Sequence, residues 1–117
     1  TLERLCMEPM LVREIGSGTR EVFEEALRER GLTVRPAAMV LGNTEAIKRA
    51  VGEGVGIAVV SRLTVQSEVR DNRLVVLDVP DFTLRRPLHR LQVRDRSSPA
   101  SVQAFLKRFL TKISAVQ

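Results

Sequence analysis

Twice in its first half, this chain runs from an apolar, strand-like segment through a glycine- and hydroxyl-containing turn into a helical pattern. Residues 10–13 lead into the turn at residues 16–20, and residues 38–41 lead into the turn at residues 42–45. Glycine lets the backbone bend tightly and approach a ligand, and Ser, Thr or Asn caps the helix that follows. Strands that alternate with helices in this way predict an α/β fold with a largely parallel sheet.

Other segments extend the alternation. Further strands are predicted at residues 56–60, 74–79 and 88–93. The first is continuously apolar, which predicts burial on both faces. In the last, apolar and polar residues alternate, which is typical of a strand with one exposed side or an edge strand. Further helices are predicted at residues 2–6, at residues 61–70 with Ser61 as cap, and from Ser98 and Pro99 onwards. The last helix is strongly amphipathic, with apolar residues at Val102, Phe105, Leu106, Phe109, Leu110 and Ile113. The predicted fold class is α/β: a largely parallel mixed sheet, helices on both faces, and a C-terminal amphipathic helix.

The composition fits one aliphatic core. The chain has 117 residues, with four Phe and neither Trp nor Tyr. Its apolar stretches, such as residues 57–60, are far too short to cross a bilayer, and no secretory leader pattern opens it. The single cysteine, Cys6, excludes an internal disulfide and agrees with a reducing compartment, so a cytoplasmic location is predicted.

Positive charge is concentrated at the C-terminal end. Residues 81–117 hold eight Lys and Arg against two Asp, whereas the whole chain has a net charge of +5. We interpret this end as a solvated face or a face against another domain. Direct nucleic-acid contact is the alternative, but the chain offers no Tyr or Trp to stack on bases and no zinc-finger or helix-turn-helix pattern.

Residues for catalysis or metal binding are sparse. His89 is the only histidine, and the sequence places no carboxylate and nucleophile beside it. Ser61 is not in a Gly-x-Ser-x-Gly elbow, and Gly52, Gly54 and Gly56 do not follow a strand into a helix as a dinucleotide-binding loop does. The sequence therefore predicts no enzyme, no metal site and no cofactor.

The two glycine-containing turns predict a ligand site. Helix N-termini at the carboxyl ends of neighbouring parallel strands converge on one crevice, and their free N–H groups favour an anion. Arg13 and Arg20 flank the first turn. Arg20 has the reach to bind an anion with two hydrogen bonds; the alternative is that both arginines are solvated or paired, for example with Glu14 or Glu24.

Three segments in order, residues 11–20, 42–48 and 54–61, resemble the effector-binding domain of LysR-type transcriptional regulators. Residues 94–96, 98–100 and 105–106 are similar to the same family's return segment and last helix. The resemblance implies a two-lobed fold like that of type 2 periplasmic binding proteins. Residues 1–95 would form the second lobe and residues 96–117 the helix that returns towards a first lobe. The N-terminal DNA-binding region and most of the first lobe would then lie outside this chain, which makes it a fragment.

The resemblance also implies a mechanism: a small, usually anionic effector binds between the lobes, changes the geometry of the oligomer, and so alters transcription. Partners would be that effector, DNA through the N-terminal domain only, and further copies in a homodimer or tetramer, with no membrane. The effector-binding residues carried over are Ser17, Gly18, Thr19, Gly42, Asn43, Thr44, Val60 and Ser61. The alternative is a solute-binding domain for an oxyanion such as phosphate or molybdate, since those domains also carry a Ser-Gly-Thr turn.

Overall fold

A parallel sheet forms the centre of the computed structural model, which describes residues 1–87 and 98–114. Within those residues the strands are β1 (Met10–Arg13), β2 (Met39–Leu41) and β3 (Ile57–Ala58), in the order β2-β1-β3. Leu11 pairs with Met39 on one side of β1 and with Ala58 on the other. The chain divides into two units, Thr1–Arg86 and Pro87–Gln117, and the sheet lies in the first. The predicted parallel α/β architecture is confirmed.

Helices surround this sheet within the first unit. They are α1 (Leu2–Leu5), α2 (Gly18–Arg28), α3 (Thr44–Gly52) and α4 (Gln66–Arg70), with a short 3-10 helix at Arg62–Thr64. The chain steps from β1 outwards to β2 through α2, and back past β1 to β3 through α3. Because parallel crossovers are right-handed, these opposite steps place α2 and α3 on opposite faces of the sheet. Helices on both faces were predicted, and the strand order requires them.

The core follows the alternation of side chains along β1. Met10 and Val12 pack with Phe23 and Leu27 of α2 in one buried cluster. Leu11 points to the other face, and it is only 1% exposed. Fully burying a side chain of this size contributes about 1.5–3 kcal/mol. Burial on both faces of β1 therefore fixes the strand from which the site extends.

Two predicted strands differ in the structure. Residues 74–79 join no ladder, and Val75 is 82% exposed. The predicted strand at residues 56–60 pairs only at Ile57–Ala58, and its apolar side chains are half-buried rather than buried. Within the described residues no further strand pairs with β3 on its outer side, so the sheet edge is open there and residues 74–79 do not pair with it. The predicted strand at residues 88–93, with His89, lies outside the described residues.

Gly56 lets β3 approach β1 closely. A Cβ atom at this position would lie 2.2 Å from the carbonyl oxygen of Pro9. That same oxygen accepts a hydrogen bond from the Ile57 amide at 2.9 Å. Only a residue without a side chain fits between the strands here.

The third predicted helix is divided. Residues 62–64 form the 3-10 turn and α4 begins only at Gln66. Ser61 occupies the cap position of the 3-10 turn, but its side chain makes no cap hydrogen bond. Its carbonyl oxygen instead accepts from both the amide and the hydroxyl of Thr64. The prediction that the Ser61 side chain caps a helix is therefore wrong.

Within the described part of the second unit, residues 98–114, the chain forms the helix α5 (Ala100–Ser114). It begins one residue after Pro99, whose carbonyl oxygen accepts from the Gln103 amide at 3.0 Å. Phe105 and Phe109 stack on each other with ring centroids 5.6 Å apart, and Phe105 remains 64% exposed. The amphipathic helix is confirmed. Among the residues described, no helix has the length and apolar character needed to cross a membrane.

Candidate ligand site at the carboxyl ends of the strands

The predicted site residues follow the carboxyl ends of the three strands. Because the strands are parallel, these ends lie at one edge of the sheet. The loop after β1 ends at Ser17, and Gly18 and Thr19 begin α2. The loop after β2 carries Gly42 and Asn43, and Thr44 begins α3. The segment after β3 carries Val60 and Ser61. This edge is where open α/β sheets bind ligands.

At the start of α2 the backbone amides have no side-chain cap. Ser17 occupies the N-cap position with extended backbone, yet its hydroxyl makes no cap hydrogen bond. The Ser17 carbonyl oxygen accepts from the Glu21 amide at 3.0 Å, so the helix itself is regular. The first turn of a helix leaves N–H groups unsatisfied unless something caps them. Those of α2 are available to an acceptor.

The start of α3 is different. The Asn43 side-chain oxygen accepts from the Ala46 amide at 2.7 Å, which confirms the predicted cap. That bond already satisfies one of the amides that a ligand would otherwise bind. The two turns, alike in sequence, therefore differ: the one before α2 is open, and the one before α3 supplies part of its own cap.

Arg13, the last residue of β1, contacts the start of α3 across this edge. Its guanidinium donates to both Glu14 carboxylate oxygens at 2.8 Å and, through Nη1, to the Thr44 hydroxyl at 3.1 Å. The hydrogen bonds from Arg13 lower the pKa of Glu14 to about 2, and the same contact raises the pKa of Arg13. The ion pair with Glu14 leaves little net charge at Arg13. The same guanidinium holds the Thr44 hydroxyl in place through its hydrogen bond.

Arg20 is also paired. Its Nε donates to the Glu24 carboxylate at 2.6 Å, and its Nη1 donates to the Arg13 carbonyl oxygen at 2.9 Å. The carbonyl at the end of β1 thereby gains a partner, and α2 is tied to the strand that precedes it. Of the two alternatives for Arg20, the structure shows pairing with Glu24.

The sequence did not single out Arg86. Its guanidinium lies so close to the start of α2 that a Cβ on Gly18 would be 2.8 Å from Nη2 and 3.0 Å from Cζ. No ion pair or hydrogen bond of the Arg86 side chain occurs among the side chains described, those of residues 1–87 and 98–110. The contact spans almost seventy residues of sequence, and the only local signal is one basic residue among several in the charged C-terminal end.

The sequence analysis did not single out Lys48 either. The side chain is only 9% exposed, and its ammonium group contacts the carboxylates of Glu45 and Glu68, each at 2.8 Å. It also donates to the Thr64 carbonyl oxygen at 2.9 Å. All three N–H donors of the ammonium are thus used. This contact ties α3, which starts at the site, to the segment that follows β3.

An apolar hollow of about 550 Å³ lies beside β3 within the first unit, lined mainly by aliphatic residues such as Val59, Val76 and Leu77. Among the predicted site residues only Val60 lines it. The hollow therefore lies mostly apart from the polar edge, and it occupies the place where the half-buried β3 has no further strand beside it.

The groups at the edge include several that can bind a ligand. Among them are backbone amides, the hydroxyls of Ser17 and Thr44, and the Arg86 guanidinium, which are hydrogen-bond donors. In the part of the chain described, no three His, Cys, Asp or Glu side chains cluster closely enough to hold a metal ion. Donors of this kind can bind an anionic group.

Comparison with known proteins agrees with the resemblance noted in the sequence. A family model described as "LysR substrate binding domain" matches residues 1–114. A RuBisCO operon transcriptional regulator from Allochromatium vinosum is 43% identical over 102 residues, which cover 86% of this chain and 33% of that protein. The HTH-type transcriptional regulator CbbR of Xanthobacter flavus is 40% identical, over 87% of this chain and 31% of that protein. The chain spans about a third of the length of these relatives.

A solved structure is also similar. The regulatory domain of CcmR from Synechocystis PCC6803, in complex with 2-PG, superimposes with a TM-score of 0.74 at 28% sequence identity. The match covers 94% of this chain and 52% of that domain's chain. The comparison shows the same fold.

Proposed function

The chain belongs to the LysR substrate-binding domain family, and we propose that it senses a small anionic effector within a transcriptional regulator. The observation that supports this most directly is the open N-terminus of α2 at the shared edge of the three strands. Helix N-termini bind anions through their free amides and dipole. The eight residues predicted from the sequence lie in the segments that follow the three strands or in the first turns of α2 and α3.

The similar CcmR regulatory domain, in complex with 2-PG, supports a small-molecule effector for this chain as well. We propose a phosphate or carboxylate group for its anionic part, because the groups at the edge are donors. The Thr44 hydroxyl, held by Arg13, is placed to donate to it from the opposite side of the edge. The site would be completed by a first lobe supplied outside this chain.

Effector binding would act by shifting an equilibrium. A ligand that contacts both lobes favours the closed arrangement over the open one by its difference in affinity for the two. In the whole regulator this shift would change how the subunits of a dimer or tetramer present their N-terminal DNA-binding domains. A regulator that acts on bacterial promoters works in the cytoplasm, so we assign the protein to that compartment. On this proposal the domain binds its ligand and does not transform it.

The test is calorimetric titration of the full-length protein with 2-PG and with other small phosphate and carboxylate anions. Ser17→Ala and Thr44→Ala should weaken binding of whichever anion the wild-type protein takes up. Thr33→Ala, which removes an exposed hydroxyl from the segment between the end of α2 and the start of β2, provides the matched control and should leave binding unchanged. Unaltered affinity in both site variants would show that the effector binds elsewhere.

A further inference from the structure

We propose that Arg86 contacts the effector and selects for a negatively charged ligand. This inference rests on the proposed function and names the residue that gives the site its preference for anions. The guanidinium and the start of α2 form an anion-binding site with two parts. The helix contributes backbone amides, and Arg86, almost seventy residues later in the sequence, contributes a positive charge. Neither the sequence motifs nor the strand ends identify this residue.

The position of the guanidinium follows from Gly18. This glycine is the first residue of α2, and Cα–Cβ bonds of a helix tilt towards its N-terminus. A Cβ on Gly18 would meet Nη2 at 2.8 Å, Cζ at 3.0 Å and Nε at 3.4 Å. The guanidinium of Arg86 therefore lies beside the first turn, towards the end that carries the unsatisfied amides.

This juxtaposition places two positive groups close together, with the guanidinium exposed to solvent and Glu21 as the acidic residue of the first turn of α2. The N-terminus of a helix carries the equivalent of roughly half a positive charge, and a guanidinium is permanently charged. Arg13 and Arg20, the other arginines of the edge, are each neutralised by a carboxylate. Arg86 has no carboxylate partner among the residues described. An anion placed between the guanidinium and the α2 amides removes the repulsion and hydrogen-bonds to both.

Ser17 is an independent indication of a ligand at the same place. The residue is nine-tenths buried, but its hydroxyl makes no cap hydrogen bond. No fully buried polar side-chain atom of residues 1–87 and 98–110 lacks a partner, so this hydroxyl reaches solvent through the small opening that remains. A nearly buried hydroxyl without a partner at the N-cap, next to Gly18 and Arg86, is a donor positioned for an acceptor from outside.

The contact also accounts for glycine at position 18. The φ angle of Gly18 is not positive, and alanine is about 1 kcal/mol better than glycine inside a helix. Backbone conformation therefore gives no reason for glycine here. Close approach of the guanidinium does, because any side chain would displace it from the helix end.

The experiment is a titration of the full-length protein with inorganic phosphate and with acetate, in wild type, Arg86→Gln and Arg85→Gln. Loss of a charged hydrogen-bond donor should raise the Kd for phosphate at least about tenfold in Arg86→Gln, with a smaller rise for acetate. Arg85→Gln removes the same charge one residue away and should change neither Kd by more than about twofold. Equal affinities in wild type and Arg86→Gln overturn the proposal while leaving the proposed function intact. A wild-type protein that binds no small anion overturns both.

Gly18→Ala tests the geometry separately. The Cβ displaces the guanidinium but keeps the amides, so phosphate binding should fall while the thermal midpoint stays level or rises. Because both changes act through one contact, the double variant Gly18→Ala/Arg86→Gln should bind no more weakly than Arg86→Gln alone. Fully additive losses would overturn the placement of Arg86 over Gly18.

Discussion

The Arg13 guanidinium donates to the Thr44 hydroxyl, Nη1 to Oγ1 at 3.1 Å, and so joins the end of β1 to the start of α3. A hydroxyl that accepts from a cation keeps its own proton free to donate. Glu14 holds the same guanidinium through its other two nitrogens, which fixes the direction of the Thr44 hydroxyl. The edge thus contains a pre-oriented donor whose supporting cation is already neutralised.

Thr44→Val should weaken anion binding without disturbing α3. Valine keeps the volume of threonine but loses the hydroxyl, and the helix cap comes from Asn43 rather than Thr44. One lost hydrogen bond to an anion predicts a Kd for inorganic phosphate that is about five- to tenfold higher. Calorimetry on the full-length protein measures this effect. Thr33→Val, an exposed threonine remote from the strand ends, is the control, and equal losses in the two variants would contradict the assignment.

Asn43→Ala should lower stability through loss of the α3 cap. The side-chain oxygen of Asn43 accepts from the Ala46 amide at 2.7 Å, and removing such a cap costs about 1 kcal/mol. Urea unfolding of the chain measures the free energy directly. Asn43→Asp retains an acceptor oxygen at the same position and should stay close to wild type. If Asp and Ala lowered the free energy of unfolding equally, the cap would not be what stabilises this turn.

Gly56→Ala should disrupt the pairing of β1 with β3. The added Cβ would lie 2.2 Å from the Pro9 carbonyl oxygen, a backbone atom that cannot rotate away. Overpacking of this kind costs about 1–3 kcal/mol, again measurable by urea unfolding. Gly42→Ala is the matched control: a Cβ there meets nothing within 4 Å and the φ angle is not positive. It should change stability by no more than about 0.5 kcal/mol, and equal effects at the two glycines would refute the close-approach explanation.

Helical spacing and capping residues in the sequence correctly predicted helices, because these features act between residues that are close together in the chain. The helical spacing of Phe23 and Leu27 placed α2, and Asn43 placed the start of α3. The error at residues 74–79 has a different origin. An apolar run such as Val75–Leu77 favours a strand, but a strand also needs a neighbour with free backbone groups, and pairing is decided by distant residues. Nothing within the run shows whether that neighbour exists.

The residues of the site also differ in how well the sequence predicts them. The turns that contain Ser17 and Thr44 could be predicted, because each turn directly follows its strand in the sequence. Arg86 and Lys48 were not, because their roles arise from contacts with residues far away in sequence: Gly18 for the first, and Thr64 and Glu68 for the second. Such residues look like ordinary surface charges until the fold brings their partners to them.

Lys48 and Glu68 predict a measurable loss of stability in acid. The hydrogen bond from Lys48 lowers the pKa of Glu68 from an ordinary value of 4.5 to about 2. A carboxyl whose pKa is depressed by folding stabilises the protein above its ordinary pKa, and this contribution is lost as the pH falls towards the folded value. The loss should therefore occur between pH 4.5 and pH 2. Glu14, held by Arg13, titrates in the same window and adds a parallel loss.

Glu68→Gln isolates the part of the acid-induced loss of stability that comes from the contact between Lys48 and Glu68. The variant should be less stable than wild type at neutral pH, because the nearly buried Lys48 loses one of its two carboxylates. It should also lose less stability than wild type between pH 4.5 and pH 2, because the Glu68 contribution is absent there. Urea midpoints measured across this range give both quantities. Glu8→Gln, an exposed glutamate at the end of the first helical segment, is the control and should follow the wild-type curve. A Glu68→Gln curve parallel to wild type would mean that Glu68 carries no proton linkage.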